Sequence, residues 1–420
     1  MVNRTLIAAG IIIAIVIVAV GSVSRQGNAP VVQRTVTTTQ ASTTIPQTVS
    51  QTALRSCGSN YSLFSTPIFN PNSVVSVLPI ADFIPPDHVF PTPHAYVYTT
   101  DITANISKDG ALLYAPANMV LTDIAIRNLR NTFGVYKNAT DYTLVFQPCK
   151  EFYLYFHNVA SLSYQPFIKA SLQLMEECNN QIYCEMPVDI RISAGQVIGT
   201  IGNSSAGIQG VDIGARDYRL ATGRSAFVDP NRLCPLQSGQ PNIFDRCYAV
   251  CPYNYYANSI KQQSRLFYPN GSTIASCGTV YQDVNGTAQG YWFPADNSAN
   301  SISPEATYIF LGNDTASTTS KVFSVGVSVA GLTSGAYSFK PNPNPSSLVN
   351  KSFANVTPGR VYCYQTLGKY YLSGNSSPGP TVIIAIKMTN ASELSIQRLN
   401  GTSCGSGPWV IGTTATKFVR

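Results

Sequence analysis

The chain has 420 residues, of which 44% are hydrophobic and only 11% are charged, and its formal net charge is +7. This length exceeds one ordinary hydrophobic core and predicts two globular domains. Average soluble proteins have about 25% charged residues. Because the few charges are spread thinly, with no basic run longer than a pair, we expect no nucleic acid among the partners.

Residues 1–23 predict export. The apolar run LIAAGIIIAIVIVAV follows Arg4 and, extended to Val23, reaches about 18 residues, close to the minimum that spans a bilayer. It is either a signal-anchor helix, which binds the membrane, or a signal peptide cleaved after Ala19-Val20-Gly21. Both interpretations place the rest of the chain outside the cell, as a single-pass cell-surface protein or as a secreted one.

Residues 24–56 are rich in Thr, Ser and Gln and contain no aromatic residue. Such a composition cannot build a hydrophobic core. The segment is either an O-glycosylated stalk or a disordered linker without a special role.

Two further features predict an extracellular protein. An even set of ten cysteines favours disulfides, with Cys178–Cys184 and Cys363–Cys404 as expected pairs. Zinc bound by Cys234, Cys247, Cys251 and Cys277 is the alternative, although their spacing is irregular. Asn-X-Ser/Thr glycan acceptors are dense, at Asn60, Asn105, Asn138, Asn203, Asn270, Asn285, Asn313, Asn350, Asn355, Asn375, Asn390 and Asn400.

The remaining chain predicts an all-β fold. Runs rich in Val, Ile, Tyr and Phe, bounded by turn residues, predict strands at 95–98, 111–114, 120–126, 142–146, 152–156, 197–201, 322–329, 361–365 and 381–388. Short helices are expected at 168–178 and near 255–267. The change of composition near residue 230 predicts a first β domain at 57–230 and a second, disulfide-bonded and glycosylated, at 231–420.

Four motifs follow one another between residues 86 and 218. They are PTPHAYVYT, ALLYAPANMVLTDIAI, YTLVFQPCKEFYLYFHNVASLS and ISAGQVIGTIGNSSAGIQGVDIGARD. This stretch resembles the lysostaphin-type zinc metallopeptidases, most specifically in YAPANMV, LYFHNVASLS and AGQVIGTIGN. The resemblance implies a compact all-β domain of two related hairpin units.

The catalytic residues that the resemblance implies are incomplete. His94 matches the first zinc ligand and His157 the accessory histidine, but Tyr98 stands in place of the ligand aspartate. The HxH pair of the family is Gly210-Val211-Asp212 here. Because catalytic zinc normally has three protein ligands and a water, the resemblance implies a degenerate, non-catalytic site, and we expect no cofactor.

Two interpretations of the histidines stay open. His88, His94, His157 and Asp212 supply enough donors for a rearranged zinc site if they converge. Otherwise the histidines are structural, and His94, Tyr98, His157 and Asp212 line a binding cleft. The segment PDHVFPTPHAYVY, which holds His88 and His94, is stiffened by proline and enters a strand.

Residues 231–420 alternate strand-like runs with Gly, Asn and Pro turns and predict an antiparallel β-sandwich or barrel, without resemblance to a known family. Tyr291-Trp292-Phe293 is either a stacking platform for a sugar or part of the core, and we favour the core.

We therefore expect a non-catalytic, membrane-anchored extracellular glycoprotein that binds a surface glycan or a protein partner. Two alternatives are a homo-oligomeric subunit of a cell-surface layer or filament, and a metal-dependent peptidase with a rearranged site.

Overall fold

The computed structural model describes residues 54–101, 105–128, 139–178, 181–221, 223–234, 246–259, 266–268, 273–274, 277–296, 305–315, 319–370 and 381–420. The predicted export segment, nearly all of the stalk, residues 260–265 of the second expected helix, and Asn138, Asn270 and Asn375 lie outside these ranges. Within them, no helix combines the length and the apolar character that a membrane crossing requires. Ser50–Arg420 forms one compact unit.

The first part of the chain is built on an eight-stranded antiparallel sheet with the strand order β1-β2-β12-β8-β7-β6-β10, and β13 pairs with β12. Two smaller sheets have the orders β5-β11-β9 and β3-β4. The strands are β1 (Ser76–Leu78), β2 (His94–Tyr98), β3 (Thr100–Asp101), β4 (Ile106–Ser107), β5 (Ala111–Tyr114), β6 (Met119–Asn128), β7 (Thr140–Cys149), β8 (Phe152–Val159), β9 (Ser161–Leu162), β10 (Tyr183–Ile192), β11 (Val197–Ile201), β12 (Gly210–Asp217) and β13 (Ala249–Val250).

Two α-helices accompany this sheet, α1 (Gln165–Cys178) and α2 (Pro230–Leu233). Helix α1 begins three residues before the expected start, because Pro166 is tolerated in the first turn, where no backbone N–H is needed. Short 3₁₀ helices occur at Pro71–Ser73, Ser204–Ala206, Arg224–Ala226, Pro252–Tyr255 and Phe353–Asn355.

One face of the large sheet is apolar. Successive side chains of a strand point to opposite faces, so cross-strand partners share a face. One row of partners runs through Ala95, Ile213, Phe156, Leu144, Ile124 and Met186. Helix α1 covers this face, with the ring of Phe167 5.8 Å from that of Phe146. The opposite face carries the polar side chains described below.

A nine-stranded antiparallel sheet forms the second part of the chain, with the strand order β18-β20-β21-β22-β14-β15-β16-β17-β19. Its strands are β14 (Gly290–Pro294), β15 (Ile309–Asn313), β16 (Lys321–Val325), β17 (Gly335–Phe339), β18 (Val361–Gln365), β19 (Gly368–Tyr370), β20 (Ile383–Asn390), β21 (Glu393–Leu399) and β22 (Thr416–Val419). The expected mostly β character of the chain is confirmed. The strand expected at 322–329 is shorter, since it ends at Val325.

Aromatic side chains fill the core of the second sheet. Phe323 contacts Phe353 and Tyr364, with ring centroids 4.8 and 5.0 Å apart, so β16 and β18 face each other across this core. All three residues of Tyr291-Trp292-Phe293 are buried, and the indole of Trp292 donates to the carbonyl oxygen of Ala288. The core interpretation of this cluster is therefore confirmed.

The two large sheets share packing across residue 230. Phe90 packs edge-on against Tyr291 with ring centroids 4.9 Å apart, and Phe83 stacks on Phe310 at 5.4 Å. One hydrophobic cluster contains residues from both sides of the expected domain boundary. Side chains of 57–230 and 231–420 are therefore buried together.

All ten cysteines form disulfides, and both expected pairs, Cys178–Cys184 and Cys363–Cys404, are confirmed. The zinc alternative for the other cysteines is wrong, because their thiols are consumed by Cys234–Cys247 and Cys251–Cys277. Cys57–Cys149 joins the start of the described chain to the end of β7.

Candidate binding cleft

A tight turn places His88 beside the first strand of the site. Ile84 and His88 exchange both backbone hydrogen bonds, at 2.9 and 3.0 Å. The imidazole of His88 then meets that of His94 edge-on, with ring centroids 5.4 Å apart. Two backbone hydrogen bonds therefore fix a turn in the proline-rich segment before the chain enters β2.

The pairing register of neighbouring strands brings the other motif residues together. On β12, Asp212 lies opposite Tyr96 of β2 and opposite His157 of β8. His94 and Tyr98 flank Tyr96 at the alternate positions of β2, so they share its face. The four residues singled out from the sequence therefore lie on three neighbouring strands of the polar face.

A cleft of about 440 Å³ opens beside these strands, within the range of small-molecule sites. Tyr98, Asp212 and His88 line it, as does the exposed Asp87. His94 and His157 do not belong to its lining: His94 is 3% exposed behind Tyr96, and His157 binds Thr143. The remaining polar and aromatic lining residues are Tyr96, Arg127, Asp141, Asn158 and Gln209.

Two tyrosines form one wall. The rings of Tyr96 and Tyr98 are stacked, with centroids 5.8 Å apart and planes 13° apart. Burial raises the pKa of both phenols well above the usual value, and neighbouring acidic groups, including Asp212, raise it further. Both are therefore neutral near pH 7, and Tyr98 offers an aromatic face rather than a metal ligand.

A chain of polar contacts on β12, β8, β7 and β6 forms another part of the lining. Arg127 pairs with the buried Asp141 and also donates to Oδ1 of Asn158. Nδ2 of Asn158 donates to Oδ2 of Asp212 at 3.0 Å. Asn158 holds this position at φ 65°, in the left-handed region that asparagine tolerates better than most residues. The carboxylate of Asp212 is thus tied to β6 and β7 through one amide.

Burial sets the charge of the site. It raises the pKa of Asp212 to about 7, and Asp141 adds to this while Arg127 opposes it. Burial likewise lowers the pKa of His157 to about 3, and lowers those of His88 and His94. Near pH 7 the three imidazoles are therefore neutral, and Asp212 is close to half-protonated.

The residues present do not fit a zinc ion. In the described ranges, no group of three or more His, Cys, Asp or Glu side chains is arranged to hold a metal. Nδ1 of His157 is 2.6 Å from Oγ1 of Thr143, and the rings of His88 and His94 meet edge-on instead of converging. Nδ1 of His94 is 3.9 Å from Oδ1 of Asp212, too long for a hydrogen bond.

Sequence reasoning missed Tyr96, Arg127, Asp141 and Asn158. One available signal was the rarity of charge: Arg127 and Asp141 are ionic residues that immediately flank two expected strands, 120–126 and 142–146, in a chain with only 11% charged residues. A charged pair on neighbouring predicted strands is a candidate for a buried functional contact.

No family model matches the chain, and neither a curated protein nor a solved structure matches it. The likeness to lysostaphin-type peptidases accordingly stays a prediction based on the four motifs.

Proposed function

We propose that this chain is a non-catalytic, membrane-anchored extracellular glycoprotein that binds a surface glycan in the cleft beside Tyr98 and Asp212. The observation that carries the proposal is that the stacked Tyr96–Tyr98 pair and the Arg127–Asn158–Asp212 contacts line one cleft. Sugar rings have apolar C–H faces that stack on aromatic side chains, while their hydroxyls suit planar carboxylate, amide and guanidinium groups. The cleft offers both kinds of surface.

The scaffold in this proposal is a degenerate lysostaphin-like domain. It is supported by the location of His94, Tyr98, His157 and Asp212 on three neighbouring strands, where they form an incomplete zinc ligand set. A groove that no longer activates water still retains its shape and its hydrogen-bonding groups. The second sheet, which we interpret as a β-sandwich, supports this groove through the shared hydrophobic cluster.

Two observations support an extracellular location. Five disulfides are expected outside the reducing cytosol. None of the nine glycan acceptors within the described ranges is buried; Asn203 and Asn350 are half-buried, and the exposed ones are Asn60, Asn105, Asn285, Asn313, Asn355, Asn390 and Asn400. N-terminal sequencing of the native protein distinguishes a retained anchor from cleavage after Gly21. Peptide mass spectrometry tests whether the exposed asparagines carry sugars.

Glycan binding is tested with the full-length chain in detergent. Saturation-transfer NMR against glucose, mannose, galactose and N-acetylglucosamine should show transfer from protein to sugar, and titration should give an affinity. Tyr98→Ala should weaken binding by about tenfold, because it removes the stacking surface. Tyr61→Ala, which removes an exposed tyrosine outside the cleft, is the matched control and should leave the affinity unchanged. Equal losses in both variants would contradict the proposal.

A further inference from the structure

The carboxylates in the lining of the cleft outnumber its cations. Asp87, Asp141 and Asp212 line it, whereas Arg127 is the single arginine or lysine among the lining residues that the structure describes. Arg127 is already paired with Asp141, whose side chain is 1% exposed. Beyond this pair, the described lining adds two carboxylates, Asp87 at the rim and Asp212 inside, and no second arginine or lysine.

Charges behind the cleft do not reverse this excess. The guanidinium of Arg246 is paired with Glu305. The buried Arg216 donates to the carbonyl oxygens of Pro93 and Ala215, and the buried Asp82, which acts on both wall tyrosines, adds a carboxylate to the count of charges behind the cleft. An anionic ligand would consequently meet net repulsion, and a cation net attraction.

The position of Asp212 suits a cationic group. Its Oδ2 accepts from Asn158, while its Oδ1 lies beyond hydrogen-bond distance from the neutral imidazole of His94. Across the part of the chain that the structure describes, Nδ1 of the buried His94 has no hydrogen-bond partner. Tyr96 is the cross-strand partner of Asp212, and with Tyr98 it lines the same cleft, where aromatic rings attract cations.

We infer that the cleft binds a ligand through a protonated amino group, placed between the carboxylate of Asp212 and the Tyr96–Tyr98 wall. This inference rests on the proposed function and narrows its ligand to a glycan that bears a free ammonium, such as an amino sugar without its acetyl group. A carboxylate and an aromatic wall together recognise charge and shape in one contact.

Proton release accompanies this contact. The ammonium favours the ionised form of Asp212, which is close to half-protonated in the free protein near pH 7 because burial raises its pKa to about 7. Binding near pH 6.5 should therefore release part of a proton. The titratable and charged groups around Asp212 on the neighbouring elements are His88, His94, Tyr96, Tyr98, Arg127, Asp141, Tyr155 and His157, and burial lowers the pKa of all three imidazoles.

The test compares four sugars with closely related rings on the full-length chain in detergent at pH 6.5. Glucosamine should bind about tenfold more tightly than glucose and N-acetylglucosamine, and glucuronate should bind most weakly. Calorimetry in two buffers of different ionisation enthalpy should show proton release for glucosamine and none for glucose. This wild-type series needs no variant and is independent of any folding defect.

The variant Asp212→Asn tests whether the carboxylate of Asp212 causes the preference for glucosamine. It should reduce the preference for glucosamine over glucose to less than about twofold, and because this preference is a ratio measured within one variant, it does not depend on how tightly that variant binds glucose. Glu393→Gln, an exposed carboxylate of the second sheet, is the matched control and should keep the tenfold preference.

The outcomes separate the two proposals. If glucose binds as tightly as glucosamine, the inference about the ammonium is wrong and the glycan site stands. Tightest binding of glucuronate would also overturn the inference. If none of these sugars nor any of the neutral panel binds, the glycan proposal itself fails.

Discussion

The two large sheets bury different kinds of side chain. The second sheet encloses Phe323, Phe339, Phe353 and Tyr364, whose rings contact one another at 4.8 to 5.8 Å. The polar face of the first sheet instead buries ionisable groups, including His94, Asp141 and Arg216. Apolar burial stabilises a fold in a manner that changes little with pH, whereas burial of ionisable groups costs free energy that depends on pH.

The difference between the side chains that the two sheets bury indicates where the candidate binding site lies. Buried ionisable side chains of the first part of the chain lie mainly on β2, β6, β7, β8 and β12, around one cleft. The core of the second sheet is aromatic, and the buried Arg420–Asp283 pair of this part lies outside its strands. Perturbed pKa values and a cleft at the same place are typical of a functional site. The four predictions below test this contrast, from the largest expected effect to the smallest.

Removal of an aromatic ring from the core of the second sheet should cause the largest change in the free energy of unfolding. Phe323→Ala leaves a cavity among three aromatic neighbours and should lower the free energy of unfolding by about 3–5 kcal/mol. Urea denaturation followed by tryptophan fluorescence measures it, because both tryptophans, Trp292 and Trp409, lie in this part of the chain. The control variant Phe323→Leu should lower the free energy of unfolding by clearly less. A loss of under about 1 kcal/mol for the alanine variant would contradict the packing described.

Breaking the ion pair of the first sheet should come next. Arg127→Ala leaves Asp141 buried without its guanidinium, and we expect a loss of about 2–3 kcal/mol in unfolding free energy at pH 7. Burial already raises the pKa of Asp141 and Arg127 opposes that rise, so the variant should protonate more readily. The loss should therefore shrink at pH 4. Arg127→Lys serves as the control that retains the charge, and an identical loss at both pH values would argue against this origin.

Neutralising Asp212 should stabilise the protein. The folded chain keeps a proton on Asp212 that the unfolded chain releases near pH 4, so wild-type stability falls as pH rises from about 4 to 7. Asp212→Asn should add about 1–2 kcal/mol at pH 8 and almost nothing at pH 4. Thermal unfolding at both pH values measures the change. Asp87→Asn, at an exposed position, should alter stability by under about 0.5 kcal/mol at either pH.

The histidine of β8 should produce the smallest effect, in the acid range. Unfolded His157 takes up a proton below about pH 6.5, whereas burial lowers its pKa to about 3 in the fold. Stability should therefore fall as pH drops through 6.5, by about 1 kcal/mol between pH 7.5 and 5.5 for this residue. His157→Gln retains an acceptor for Thr143 and should remove that share of the pH dependence. An unchanged pH profile would show that His157 titrates normally.

The sequence correctly predicted strands that are defined by short runs of neighbouring residues. The strands β5, β11 and β18 coincide with runs of branched and aromatic residues bounded by turns. Strand β12 was not among the expected strands, because glycine disfavours strands and Gly210 and Gly214 lie within it. Those glycines are required by close packing: a Cβ on Gly214 would lie 2.2 Å from the ring of Tyr155.

The composition of the cleft depends on long-range register. His94, Tyr98 and Asp212 were found because they occupy motif positions, yet Arg127 and Asn158 were not. Whether Arg127 faces Asp212 depends on the order β12-β8-β7-β6 and on the register shifts between Leu121 and Asp123 and between Tyr142 and Leu144. A shift of one residue exchanges the two faces of a strand, and composition alone does not determine it.

The edges of the first sheet limit how copies of this protein can associate. At one edge, Pro187 of β10 has no backbone N–H, and the register of this strand shifts between Pro187 and Ile190. At the other edge, β1 is only three residues long. Neither edge offers a long, regular template for a neighbour's backbone. Backbone pairing between the first sheets of two copies is therefore disfavoured, and contacts between copies at these edges would have to be made by side chains.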